Sequence, residues 1–197
     1  KLIANSEIRA RDIDVSSSQS VVTLIGRVAS AQIKSDAERI ALFLNNFAVS
    51  GNLSRVPYPY HLADAKAWLA TWRPDEPPDR TGFALDLPGE GLIGQVGYHA
   101  GNDGTAVLGY WLAQPFWNRG FMSEAVAAAV DWYFATTAAD RIRSGVFHFN
   151  QASLRIQRKL GFVETGECQL LCLARGEEVR HIDTQLQRSV WAERRVA

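Results

Sequence analysis

No stretch of this 197-residue chain comes near the roughly 18 consecutive apolar residues that cross a bilayer, and its opening, "KLIANSEIRARD", lacks the apolar core of a signal peptide. A membrane association is therefore not expected, and the sequence reads as soluble and cytoplasmic. Excess charge of either sign is also missing: 21 Lys and Arg balance 21 Asp and Glu, so no overall field draws the chain to nucleic acid. Cysteine is scarce. Cys168 and Cys172 stand four apart in "ECQLLCLARG", about 13 Å along a strand, too far for a disulfide, and no second Cys or His pair follows nearby to complete a zinc site. Both read as buried small residues, and no metal is expected. Methionine occurs once, at Met122, and the chain starts at Lys1, so an upstream stretch, with any signal it carries, is expected to be missing.

What is present, 47% hydrophobic residues, suffices for one well-packed domain. Residues 1–20 end in the polar "SSSQS" and read as a mobile N-terminal arm, residues 21–190 as the domain, and residues 191–197 as a C-terminal tail. "VVTLIGRV" suits a strand. "SDAERIALFLNNF" sets Ile40, Leu44 and Phe47 at helical spacing behind a start signal at Ser35 and Asp36. "SRVPYPYHLADAKAWLATW" holds an extended turn before a helix capped at about Asp64. "GFALDL", "LIGQVGYH" and "AVLGYWL", separated by the turn signals "PGEG" and "GNDG", predict an antiparallel meander. A long helix from "SEAVAAAVDWYFATT", a strand from "RIRSGVFHFN", a helix "QASLRIQRKLG" closed at Gly161 and a final strand pair around "RGEE" complete the reading. The fold class is α+β, a layered mixed and mostly antiparallel sheet of about seven strands flanked by helices.

One hinge stands out. In "GYWLAQPFWNRGFMSEA" a strand runs through Asn118, Arg119 and Gly120 straight into a helix. Such a start leaves backbone N–H groups unpaired at the positive end of the helix dipole, and that is an anion site. Asn118 and Gly120 are residue types that tolerate left-handed angles and so let the amides curl inward, Gly120 admits close approach, and Arg119 adds charge. An ordinary strand-to-helix turn is the plainer alternative.

The hinge together with "NQASLRIQRKLGF" resembles the GNAT superfamily of N-acetyltransferases. There the acetyl-CoA pyrophosphate sits on a loop of the form Q/R-x-x-G-x-G/A, and a downstream Asn-led helix ends in "GF". The loop maps to Trp117, Asn118, Arg119, Gly120, Phe121 and Met122, with Trp117, Asn118 and Met122 departing from the usual residues. "WNRGFMSEA" and "PYPYHLADA" are most similar to the branch holding the ribosomal-protein alanine acetyltransferases, the Rim type, and the likeness runs over about residues 21–188.

The resemblance implies acetyl-CoA as co-substrate and direct attack by an amine, and neither cysteine has an evident activating partner for an acyl-enzyme. It implies cofactor contacts from Trp111, Leu112 and Ala113, one of whose backbone N–H groups would hold the thioester oxygen. Further contacts fall to Asn118, Arg119, Gly120, Phe121, Met122, Ser123 and Asn150. Many members use a Tyr seven residues after the Asn to protonate the thiolate, but Gln157 stands there, and the branch's Ser is matched by Ser153, positioned by Asn150. Plain helix capping is the alternative for both. Tyr58 and Tyr60 are candidates for shaping the acceptor pocket. No base stands out: His99, His148, Glu164 and Glu167 each have structural readings, and Glu124 suits the helix dipole. The expected acceptor is a peptide or protein N-terminal amine or a small-molecule amine, and the expected state is monomer or homodimer. A CoA-binding regulatory or scaffold module with little catalysis is the competing reading.

Overall fold

The computed structural model describes residues 23–25, 30–72 and 76–196. The expected arm over residues 1–20 and the domain start near Val21 lie outside the described residues. Seven strands form one sheet in the order β1 (Thr23–Ile25), β2 (Gly82–Leu87), β3 (Gly91–Ala100), β4 (Ala106–Leu112), β5 (Arg141–Phe147), β7 (Glu177–Gln187), β6 (Val163–Cys172). The meander has the expected form, and β2 and β4 take the bounds read from the pattern. All neighbours are antiparallel except β4 and β5, which run parallel and meet at a single register pair, Val107 opposite Arg143. Beyond that point they part.

Two helices matter most for what lies in the gap. α4 (Phe121–Thr136) is Ala-rich, and Ala125, Val126, Ala129 and Val130 are fully enclosed against the sheet. α5 (Gln151–Leu160) is closed by Gly161 at φ 95°, with Phe162 N–H reaching back to the Gln157 carbonyl at 3.0 Å, the bond pattern of a left-handed glycine stop. β6 is the exposed edge strand and carries Glu164 and Glu167, charges that discourage edge-to-edge pairing.

The helices of the N-terminal half depart from the pattern reading. α1 (Ser30–Leu44) begins at Ser30, ahead of the Ser35/Asp36 signal, and Asp36 is buried. It stops at Asn45 and Asn46, after which a one-turn α2 (Phe47–Ser50) starts with Asn46 Oδ1 accepting from Ala48 N–H at 3.0 Å. Phe47 therefore leaves the Ile40–Leu44 stripe and is 40% exposed. α3 (Leu62–Leu69) is capped one turn early, at His61, while Asp64 sits inside and accepts the His61 N–H at 2.7 Å. Of the expected tail, residues 191–196 instead belong to α6 (Arg188–Val196). Its Trp191 is buried in the main core and donates its indole N–H to Asp131 at 2.8 Å, so apolar burial decides against a free end.

Candidate active site

The parting of β4 from β5 opens a cleft of about 530 Å³, a volume suited to a small molecule. Its walls come from β4, the hinge, the first turn of α4, α5 and the short α2. The hinge has the backbone its residue types suggested. Asn118 sits at φ 60° and Gly120 at φ 85°, and α4 begins immediately after. A Cβ added at Gly120 would meet no atom within 4 Å, so that face of the loop is open space. Lys159 and Arg155 of α5 also line the cleft, and no residue lining it carries a carboxylate among the described residues. With the helix N-terminus, they give the cleft a lining that carries positive charge. The sequence reading missed both cations, because an amphipathic helix shows its polar face without showing what that face looks at.

Of the three residues expected to offer a backbone donor, one keeps its N–H turned to the gap. Antiparallel neighbours alternate between exchanging bonds and turning them outward. Ala113 N–H donates to the Ile93 carbonyl at 2.9 Å. In the register that sets Trp111 opposite Gln95 and Leu112 opposite Gly94, Trp111 likewise faces β3 while Leu112 faces away. Consistent with that, the Leu112 carbonyl accepts the Trp117 indole N–H at 2.7 Å on the open side. Leu112 N–H thus points into the gap, and the backbone amides of Trp111 and Ala113 are already used. Ala113 is fully buried and does not line the cleft, which corrects its expected contact.

Of the other residues singled out, Asn118, Gly120, Phe121, Met122, Ser123, Asn150, Ser153, Trp111 and Leu112 do line the cleft. Arg119 does not: its guanidinium lies over the Phe121 ring at 4.8 Å and the Phe116 ring at 5.9 Å, outside the loop. Met122 is 5% exposed and belongs to the main core, so its side chain mostly packs beneath the loop. Asn150 caps α5, its Oδ1 accepting Ser153 N–H at 3.1 Å, and this bond fixes the backbone that carries the Ser153 hydroxyl. That hydroxyl lies 2.7 Å from the phenol of Tyr110, a β4 residue the sequence reading passed over.

Tyr58 and Tyr60 are not brought to the cleft. Tyr58 is exposed and packs edge-on against Phe47 at 5.3 Å. Tyr60 is buried, its N–H held by Asn45 Oδ1 at 3.1 Å, and burial, helped by Asp64, pushes its phenol up to about 12. Ala48, Val49, Asn52 and Leu53, from α2 and the turn after it, do line the cleft.

His99 and His148 also lie off the cleft; burial and then the Arg55 charge lower the pKa of His99. Glu164 pairs with Arg158 and Glu167 with Arg180 at 3.3 Å, on exposed ground. Glu124 Oε1 is enclosed without a hydrogen-bond partner in the first turn of α4, where the dipole favours a carboxylate.

Only Cys172 is buried, with its thiol toward the Gly51 and Leu53 carbonyls. Cys168 is exposed, a correction, and the sheet sets it beside His181 and Asp183, their ligand atoms within 4.8 Å of one another. The His181 ring lies 3.0 Å from Asp183, and the thiol, held up in pKa by desolvation and by Asp183, turns toward the same carboxylate. These polar groups satisfy one another.

A mixed sheet with one parallel parting, a left-handed loop feeding a helix N-terminus, and two cations lining the same cleft make an arrangement suited to an anion. The chain belongs to the acetyltransferase (GNAT) domain family, whose pattern matches residues 30–163. A BON domain pattern also matches residues 1–44, but residues 30–44 of that span form α1, whose Ala37, Ile40 and Leu44 pack in the main core.

The chain is similar to the uncharacterised N-acetyltransferase YoaA of Bacillus subtilis, at 36% identity over 77 residues, 38% of this chain and 44% of that protein. It thus spans less than half the length of the curated relatives it matches. Its fold is similar to RimJ of Mycobacterium smegmatis in complex with CoA-disulfide, with TM-score 0.72, 21% identity and coverage of 86% of this chain and 83% of that one. It is also similar to spermidine N-acetyltransferase of Vibrio cholerae in complex with CoA and spermine, with TM-score 0.70, 18% identity and coverage of 89% and 99%. Among the described residues no helix is long and apolar enough to cross a membrane.

Proposed function

We propose that this protein is an acetyl-CoA-dependent N-acetyltransferase that passes acetyl to a primary amine by direct attack. The observation that carries the reading is the gap between β4 and β5, with the Leu112 N–H on one side, the open loop at Gly120 at one end and Ser153 on the wall. The pyrophosphate would sit on the amides around Gly120, facing Arg155 and Lys159, and pantetheine would fill the gap left by β5. The Leu112 N–H would take charge from the thioester oxygen as the amine nitrogen bonds to the carbonyl carbon. As the C–S bond breaks, Ser153 would donate its hydrogen bond to the thiolate. The nitrogen gives up two protons in all: the ammonium sheds one to solvent before attack, and the second, lost as the amide forms, balances the one gained by the sulfur. Proximity of the two substrates supplies most of the rate.

The acceptor is a peptide or protein N-terminal amine, as in the Rim-type branch, or a small amine. A lining without a carboxylate favours the peptide, because a polycation needs anionic partners. The reading puts the protein in the cytoplasm, where acetyl-CoA is available and free thiols persist, as a monomer or homodimer. The test is thiol release from acetyl-CoA with hexapeptides bearing free or acetylated N-terminal alanine, and with spermidine. Release with the free peptide, reduced about 10- to 100-fold in kcat by Ser153→Ala, is the expected result. Binding of acetyl-CoA without release to any amine would overturn it.

A further inference from the structure

Behind Ser153 lies a buried chain of polar groups that the proposed chemistry has not used. Gln157, 1% exposed, sits at its centre. Its Oε1 accepts from the Thr184 hydroxyl at 2.7 Å, and its Nε2 lies 2.9 Å from Ser144 Oγ and 3.3 Å from the Tyr110 phenol oxygen. Ser144 in turn donates to the Leu108 carbonyl at 2.9 Å.

The directions of the bonds from Leu108 as far as Tyr110 follow from the fixed end. A carbonyl oxygen only accepts, so Ser144 spends its single proton on Leu108 and must receive from Gln157. This requirement fixes the amide with its NH2 toward Ser144 and Tyr110, and it matches the Thr184 bond on the opposite side. The second amide proton occupies a lone pair of the phenol oxygen. Tyr110 then has its own proton for Ser153, and the hydroxyl Oγ at 2.7 Å takes it in preference to the Ser153 backbone carbonyl at 3.4 Å. The Ser153 oxygen is then an acceptor toward Tyr110, and its own proton is left for the cleft.

We infer that Tyr110, held in one polarity by Gln157, is a positioning residue that makes Ser153 a hydrogen-bond donor to the cofactor sulfur. The inference rests on the reading of Ser153 above. It explains how a chain with Gln157 in place of a tyrosine supports the same step: the phenol arrives from β4, not from α5, and acts one atom back from the sulfur. Burial raises the phenol pKa against the opposing pull of its bonds to Ser153 and Gln157, so Tyr110 stays protonated at neutral pH. A polarised chain of this kind strengthens its terminal donor, because each bond aligns the next.

The test needs no acceptor, because the product cofactor is the probe. CoA bound at saturation is titrated by the ultraviolet absorbance of its thiolate, with desulfo-CoA as the blank, in wild type, Ser153→Ala, Tyr110→Phe and the double variant. A donor to the thiolate lowers the thiol pKa, so Ser153→Ala is expected to raise it by about one to two units. Tyr110→Phe should recover much of that shift, and the double variant should go no further than Ser153→Ala alone, the signature of two groups acting as one. In turnover, Tyr110→Phe should lower kcat and leave the KM for acetyl-CoA unchanged. Wild-type titration in Tyr110→Phe, or additive shifts in the double variant, would overturn the inference while leaving Ser153 as donor. Wild-type titration in Ser153→Ala would instead remove the reading of Ser153 on which it rests, whatever Tyr110→Phe does.

Discussion

Gly120→Ala offers a test of the hinge in which stability and binding can be separated. Gly120 holds φ 85°, and an alanine there costs about 1–2 kcal/mol of backbone strain. No further steric term applies inside the protein, since the new Cβ would meet nothing within 4 Å. The same is true of Gly104, in the turn between β3 and β4, at φ 76° and also with open space around its Cβ, but away from the cleft. Gly104→Ala is therefore a matched control: equal strain, no cofactor nearby. Each variant should lower the unfolding midpoint by a few degrees, about 2–4 °C per kcal/mol for a chain of this size. Only Gly120→Ala places a methyl group where a phosphate would approach the main chain. Loss of one close backbone contact to an anion, about 1.5–3 kcal/mol, corresponds to a 10- to 100-fold weaker Kd for acetyl-CoA. Calorimetric titration of both variants reads the difference directly. Equal Kd values in Gly104→Ala, Gly120→Ala and wild type would refute the argument that this loop carries the pyrophosphate.

Other expectations concern the termini and pH. Trp191→Ala should cost about 3–5 kcal/mol in urea unfolding if α6 packs as described, whereas a free tail would lose almost nothing. For His99, burial and Arg55 depress the folded pKa below the usual 6.5, so the unfolded chain binds the proton more readily. Its contribution is fully present above that value and is lost as pH falls through it toward the folded pKa. The stability curve of His99→Gln should accordingly fall less steeply on the acid side in this window, as read by denaturant unfolding at stepped pH.

Local signals in the sequence reached far where neighbours in sequence decide the geometry. The turn residues of "PGEG" and "GNDG" separate the strands of the meander, and Gly161 ends α5, because both are contests between adjacent residues and the backbone. The same holds for Asn118 and Gly120, whose left-handed angles follow from residue type. Where packing competes with a local signal, the signal misled. Asp36 looked like a helix start and is buried within α1, Tyr60 looked like a pocket wall and is core, and Trp191 turned a tail into a helix.

The sequence by itself thus determined the fold class, the loop that would receive an anion and the helix that carries Ser153, all of them properties of short segments. Only the tertiary structure decided that Tyr110 meets Ser153 across 43 residues, that Leu112 keeps the free N–H, and that Arg155 and Lys159 look into the same gap. Those depend on β4 lying beside β5 and then parting from it. Strand order and register are settled by long-range burial and pairing, and no local window of sequence contains them.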